Sequence, residues 1–120
     1  MQSSARVAPR PVGVRAGAPA QVPPEPGFVS GVGFGTVLRE MWPLVKTLID
    51  DVITVSLAEV AAAIKVLAER NHVIAEGAGA VSVAAALSGR YAESRVCAVV
   101  SGGNLDSSML AAILEGRMPS

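Results

Sequence analysis

From Ser56 to Arg70 the chain reads SLAEVAAAIKVLAER, with Val60, Ala61, Ile64, Leu67 and Ala68 recurring at three- and four-residue intervals. That spacing gathers them on one helical face, and Glu59, Lys65, Glu69 and Arg70 fall mostly off it. Ser56 and Glu59 have the spacing of a capping box, in which the hydroxyl accepts from the Glu59 amide and the carboxylate reaches back. A helix is predicted after Ser56, with Lys65 and Glu69 paired one turn apart and Asn71–His72 marking a turn. Upstream, Leu38, Met41, Leu44, Val45 and Leu48 make a second helical stripe that Thr36 can cap and Asp50–Asp51 ends. Pro43 lies within it and either kinks one helix or starts another. Between the stripes, Val52-Ile53-Thr54-Val55 is β-branched throughout and predicts a short buried strand.

Downstream the alternation disappears. Val73–Ala75 predicts a short extended link, and Glu76-Gly77-Ala78-Gly79-Ala80 leads into an Ala-rich helix through Leu87, with Gly89 as its stop. This helix is apolar on every side, so it needs cover all round. Val96 to Val100 has the same property as a strand, since continuous apolar strands belong to sheets covered on both faces. Met109 to Leu114 closes as a short amphipathic helix. The order helix, strand, helix, helix, strand, helix predicts an α/β layer with parallel pairing.

The first 27 residues carry six of the eight prolines and predict a largely irregular segment, with the domain proper spanning 28–120. Pro11–Arg15 in the irregular segment could form one edge strand, and Gly27–Gly35, at the boundary, has four glycines in nine residues, a turning loop. Hydrophobic residues make up 51% of the chain and aromatics only 3%, which predicts helix-on-sheet layers of small side chains. Ten basic residues balance ten acidic ones, so no net field points to a nucleic acid. No apolar run reaches the length of a membrane span, and MQSSARVAPR lacks the long amphipathic pattern of a presequence. The expectation is a soluble cytoplasmic protein, consistent with a single cysteine, Cys97, read as an inert residue of the buried strand. No second His or Cys stands at metal-ligand spacing, so no metal site is expected, and His72 reads as a helix cap.

After the apolar strand comes Ser101-Gly102-Gly103-Asn104. Ligands of open α/β sheets collect at the carboxyl ends of strands, where two glycines permit close backbone approach and Ser and Asn supply donors and acceptors. The tetrapeptide alone reads rather as a tight turn whose Ser and Asn satisfy their own backbone.

Its context is more specific. Trp42-Pro43-Leu44, Asp51–Ser56 with its helix ending Leu67-Ala68-Glu69-Arg70, Glu76–Ala80 and Ser101–Asp106 follow one another in fixed order. In that order and spacing the chain resembles the carboxyl-terminal part of the pyridoxal-phosphate enzymes of the tryptophan-synthase β-like fold, most of all the threonine/serine dehydratases. The likeness extends back to Phe28-Val29-Ser30-Gly31 and faintly to Val12-Gly13-Val14. It implies a fold-type II architecture, of which this chain would be a partial three-layer α/β domain. It also implies pyridoxal phosphate as cofactor, with Ser101 bonding the pyridine nitrogen, Gly102, Gly103 and Asn104 shaping the turn, and Glu76 opening the loop that approaches the ring. Glu76 reads alternatively as a helix-start carboxylate facing the dipole.

The same resemblance implies a Schiff-base lysine in a Ser-x-Lys motif and a Gly-rich phosphate loop, both upstream in a longer chain. The only lysines here are Lys46 and Lys65, outside any such motif, and no catalytic residue is assigned. The expectation is therefore a family fragment, inactive alone, of an enzyme that eliminates water from a hydroxyamino acid to give a 2-oxo acid and ammonia. Related racemases and threonine synthases share much of this pattern. The alternatives are a non-catalytic piece completed by an amino-terminal half or by its own copies, or a truncated gene product without function.

Overall fold

The computed structural model describes residues 6–7, 17–19, 21, 27–30, 32, 36–91 and 95–119. Its elements are β1 (Arg6–Val7), α1 (Trp42–Leu48), β2 (Val55–Ser56), α2 (Leu57–Val66), α3 (Gly77–Leu87) and α4 (Ser107–Leu114). A 3-10 turn, Arg39–Met41, precedes α1, and a π-helical turn, Leu67–Asn71, continues α2. The anticipated edge strand at Pro11–Arg15 lies outside the described residues, as do residues 31 and 33–35 of the glycine loop.

The upstream stripe, residues 38–48, resolves as two pieces. Thr36 donates its hydroxyl to the Val37 carbonyl and caps nothing, while Pro43 sits in the first turn of α1, where its missing N–H costs nothing. Of the expected strand 52–55 only Val55 joins a ladder, in which β2 pairs antiparallel with β1 in the register Val7 to Val55. No parallel pair occurs among the described residues.

Ser56 caps α2 as its spacing requires. Its hydroxyl accepts from the Glu59 amide at 3.2 Å, and the Glu59 carboxylate accepts from the Ser56 amide at 2.6 Å. The backbone bond from Ser56 and then its hydroxyl hold the Glu59 carboxyl below its usual range, against an opposing effect of desolvation, with a still smaller lowering by the field of Arg90. A lowered folded-state pKa stabilises above the unfolded value and loses that stabilisation as pH falls through the folded one. Ser56→Ala is expected to cost about 1 kcal/mol of stability at neutral pH. In urea melts the gap between wild type and Glu59→Gln should narrow in acid; a gap independent of pH would contradict this account.

The far end of α2 widens into the π turn and stops at His72, a non-glycine residue in the left-handed region (φ 56°, ψ 35°) whose amide reaches the Leu67 carbonyl. His72 therefore caps through its backbone. Lys65 meets Glu69 at 2.7 Å and also donates to the Leu114 carbonyl at the end of α4, tying the two helices together. Val60, Ala63 and Ile64 on α2 are fully buried against Ala80 and Ala84 of α3, with Phe28, Val55, Ala75 and Ile113 closing the core. Alanine on α3 lets the helices approach closely, so small side chains build this interior.

The segment 95–100 departs from expectation. It forms no ladder among the described residues, and Val96, Val99 and Cys97 are exposed. An apolar strand is buried only when neighbours flank it, and none of the described residues takes that place. Cys97 is thus an exposed thiol and not a core residue.

Candidate functional site

The start of α3 and the turn 101–104 form one assembly. The Glu76 amide donates to the Gly102 carbonyl at 3.0 Å, drawing the link before α3 alongside the turn. The approach is too close for side chains. A Cβ on Gly79 would lie 2.6 Å from the Gly102 carbonyl oxygen and 3.1 Å from its nitrogen. A Cβ on Gly103 would lie 2.7 Å from the Ile74 carbonyl oxygen, and one on Gly102 would lie 2.8 Å from the Glu76 carboxyl carbon. Gly79 and Gly103 are therefore required by contact with the backbone of Gly102 and Ile74, and Gly102 lies under the end of the Glu76 side chain.

Two further bonds hold the geometry. Ser82 donates its hydroxyl to the Val99 carbonyl at 2.6 Å, seating the incoming segment on α3, and the Leu105 amide closes the turn on the Gly103 carbonyl at 2.9 Å. On the other side of the helix start, a Cβ on Gly77 would lie 3.0 Å from the Phe28 carbonyl oxygen, so residues 28–29 close that flank.

The turn lies at the surface. Ser101 and Asn104 are exposed, and Gly102 is half-buried beneath the Glu76 side chain. Glu76 is the N-cap residue of α3, yet its side chain makes no capping bond. The helix-start reading of this carboxylate is thus reduced to its position near the dipole, and its observed neighbour is the turn. A hydroxyl, an amide and a carboxylate share one rim. They can donate to and accept from a planar polar ligand edge.

The structure brings together all five residues singled out in the sequence, Glu76 and Ser101 to Asn104. Gly79 and Ile74, which form the wall behind the turn, were not singled out. The Gly-x-Gly spacing at Gly77 and Gly79 was the available signal, since one helical turn carrying two glycines exposes backbone on two flanks. The lysines stand elsewhere: Lys46 is exposed on α1, and Lys65 is engaged with Glu69 and the Leu114 carbonyl.

Residues 2–102 match the family described as pyridoxal-phosphate dependent enzymes. The L-threonine ammonia-lyase of Thermotoga maritima is 36% identical over 103 residues, which are 85% of this chain and 26% of the lyase. Among solved structures, the processed threonine deaminase isoform 2 of Solanum lycopersicum superposes with a TM-score of 0.80 at 26% identity, over 91% of this chain and 33% of that one. Maize serine racemase superposes with a TM-score of 0.72 at 30% identity, over 85% of this chain and 34% of that one. The chain spans about a quarter to a third of the length of these relatives.

Proposed function

The chain belongs to the pyridoxal-phosphate dependent enzymes, with the fold-type II architecture of its structural neighbours, and from that premise we propose that it forms the ring-nitrogen wall of a threonine/serine dehydratase. The substrate class is a small hydroxyamino acid, and the products are a 2-oxo acid and ammonia. The observation that carries the proposal is the glycine-lined contact of Glu76 and Gly79 with Gly102, which presents the Ser101 hydroxyl at an exposed rim. A cytoplasmic location belongs to the same proposal, and no helix among the described residues is long and apolar enough to cross a membrane.

The residues present fit one edge of the cofactor. When bound, pyridoxal phosphate supplies the electron sink for the elimination. Ser101 offers its ring nitrogen a neutral hydroxyl, which orients the ring without holding a proton on that nitrogen as a carboxylate would. Gly102 and Gly103 let the turn pack closely against Glu76 and Ile74, and Asn104 offers an adjustable amide beside it. Glu76 covers Gly102 and helps fix the direction of the turn. No lysine stands at this rim, so the cofactor's aldehyde and phosphate are held by the remainder of the fold.

The test is the native product. It should be isolated from its source, weighed, and assayed for 2-oxo acid formation from threonine and serine with added cofactor. A product that carries a lysine-bearing segment and forms the oxo acid supports the proposal. A native polypeptide of 12.2 kDa that forms none, alone or with its co-purifying partners, overturns it. In the active protein Ser101→Ala should weaken cofactor binding roughly tenfold, the equivalent of one neutral hydrogen bond, as read from the cofactor's visible absorbance.

A further inference from the structure

Helix α3 has the sequence GAGAVSVAAAL, in which Ser82 is the one polar side chain. Serine is a weaker helix former than alanine, and inside a helix its hydroxyl commonly returns to the carbonyl four residues back. Ser82 does otherwise. It donates to the Val99 carbonyl at 2.6 Å, on a segment 17 positions away. Ala80 and Ala84 belong to the core shared with α2. Gly79 and Ser82, three residues apart and so on one face, meet the segment that leads into the turn. At Gly79 the missing side chain admits the Gly102 backbone, whose carbonyl also accepts from the Glu76 amide at 3.0 Å. Residues 99–102 are therefore held at two points, Val99 and Gly102. Ser101 lies between them, with its side chain exposed.

We propose that Ser82 is a positioning residue for Ser101: by holding the Val99 carbonyl it sets the direction in which the Ser101 hydroxyl meets the ring nitrogen of the cofactor. This rests on the dehydratase reading above. Anchoring at Gly102 does not set that direction by itself. With Val99 loose, the backbone torsions of Val100 and Ser101 can turn the Ser101 side chain without moving the anchor. Holding Val99 from the helix removes that freedom and fixes the depth of the segment against α3. A carbonyl oxygen has two lone pairs, so this bond stands whether or not another strand pairs with the same residue. Ser82→Ala improves the helix propensity of α3, so loosening of the turn in that variant reports the lost bond and not a weakened helix.

Amide exchange on the full chain is the first measurement. In Ser82→Ala the Glu76 and Leu105 amides, which donate to the Gly102 and Gly103 carbonyls, should exchange roughly fivefold faster, the equivalent of one neutral hydrogen bond. The amides of α2 should be unchanged, and Ser82→Thr, which keeps a hydroxyl, should restore the rates of the wild type. The second measurement is a double-substitution cycle on the native protein, with pyridoxal-phosphate affinity read from visible absorbance. Ser82→Ala should weaken binding roughly threefold, less than Ser101→Ala because the hydroxyl itself remains. In a Ser101→Ala background it should have no further effect, since the group it positions is gone. Unchanged exchange in Ser82→Ala overturns the proposal. Faster exchange throughout α2 and α3 also overturns it, by making Ser82 a general stabiliser, as does a cycle in which the two substitutions act additively. A native protein that binds no pyridoxal phosphate overturns the dehydratase reading and this proposal with it, whereas unchanged exchange removes the role of Ser82 alone.

Discussion

Ile64→Ala is expected to lower the unfolding free energy by about 2–5 kcal/mol, the usual range for truncating a fully buried branched side chain. Ile64 is wholly inaccessible at the centre of α2, and it and Val60 are the largest side chains buried to that degree. Its neighbours on α3 are too short to fill the space. The facing residues of α3 are alanines, whose single methyl has no rotamer that reaches inward, and Ala75 on the link before α3 is equally short. A core of large flexible side chains would relax around the deletion; this one retains most of the cavity. Domain stability as a whole is only about 5–15 kcal/mol, so the substitution removes a large share of it. Urea denaturation of both proteins checks this, and a loss under about 1 kcal/mol would show that α2 and α3 do not pack as described.

Gly79→Ala is the second large effect, and its sign is set by two opposing terms. Alanine favours a helix over glycine by about 1 kcal/mol, which alone would stabilise α3. Against this, the new Cβ would lie 2.6 Å from the Gly102 carbonyl oxygen, a backbone atom held in place by the Glu76 amide. Neither partner is the free end of a side chain, so relief requires moving the helix or the turn. Forcing atoms into packed sites costs roughly 1–3 kcal/mol or more, so the contact outweighs the propensity gain. The net result is destabilisation together with displacement of Ser101. Two readouts separate this from a simple helix effect. The Glu76 amide should exchange faster with solvent, and Ala62→Gly, at an exposed position on α2, should show the propensity effect alone at roughly 1 kcal/mol. A Gly79→Ala protein as stable as wild type would mean that the turn does not lie on α3.

These two substitutions fall on different sides of what the sequence could disclose. Ile64 was legible because helical periodicity is local: residues three and four apart share a face wherever the helix sits. The same holds for the Ser56–Glu59 box and the Lys65–Glu69 pair, each of which closes within one or two turns. Glu76 and Ser101 to Asn104 were legible as a set because their residue types and order resemble those of a known family. Gly79 was not legible as a site residue. Its constraint is the Gly102 carbonyl, 23 positions away, and no local pattern records that meeting.

The errors have the same origin. Val96 to Val100 has the composition of a buried strand, and that composition states only that the segment needs neighbours. Whether it has them is decided by which other segments reach it, and among the described residues only Ser82 of α3 makes a polar contact with it. Exposure of Cys97 follows from that, not from its own chemistry. Likewise the pairing of β2 with Arg6–Val7 depends on a return of the chain from the proline-rich segment, far outside any local window. By itself, then, the sequence determined the helix after Ser56, its cap and the Lys65–Glu69 pair, because these depend on contacts within a few residues. The tertiary structure alone decided how close the backbones come at Gly79 and Gly102 and which apolar surface stays open, because both depend on where distant segments meet.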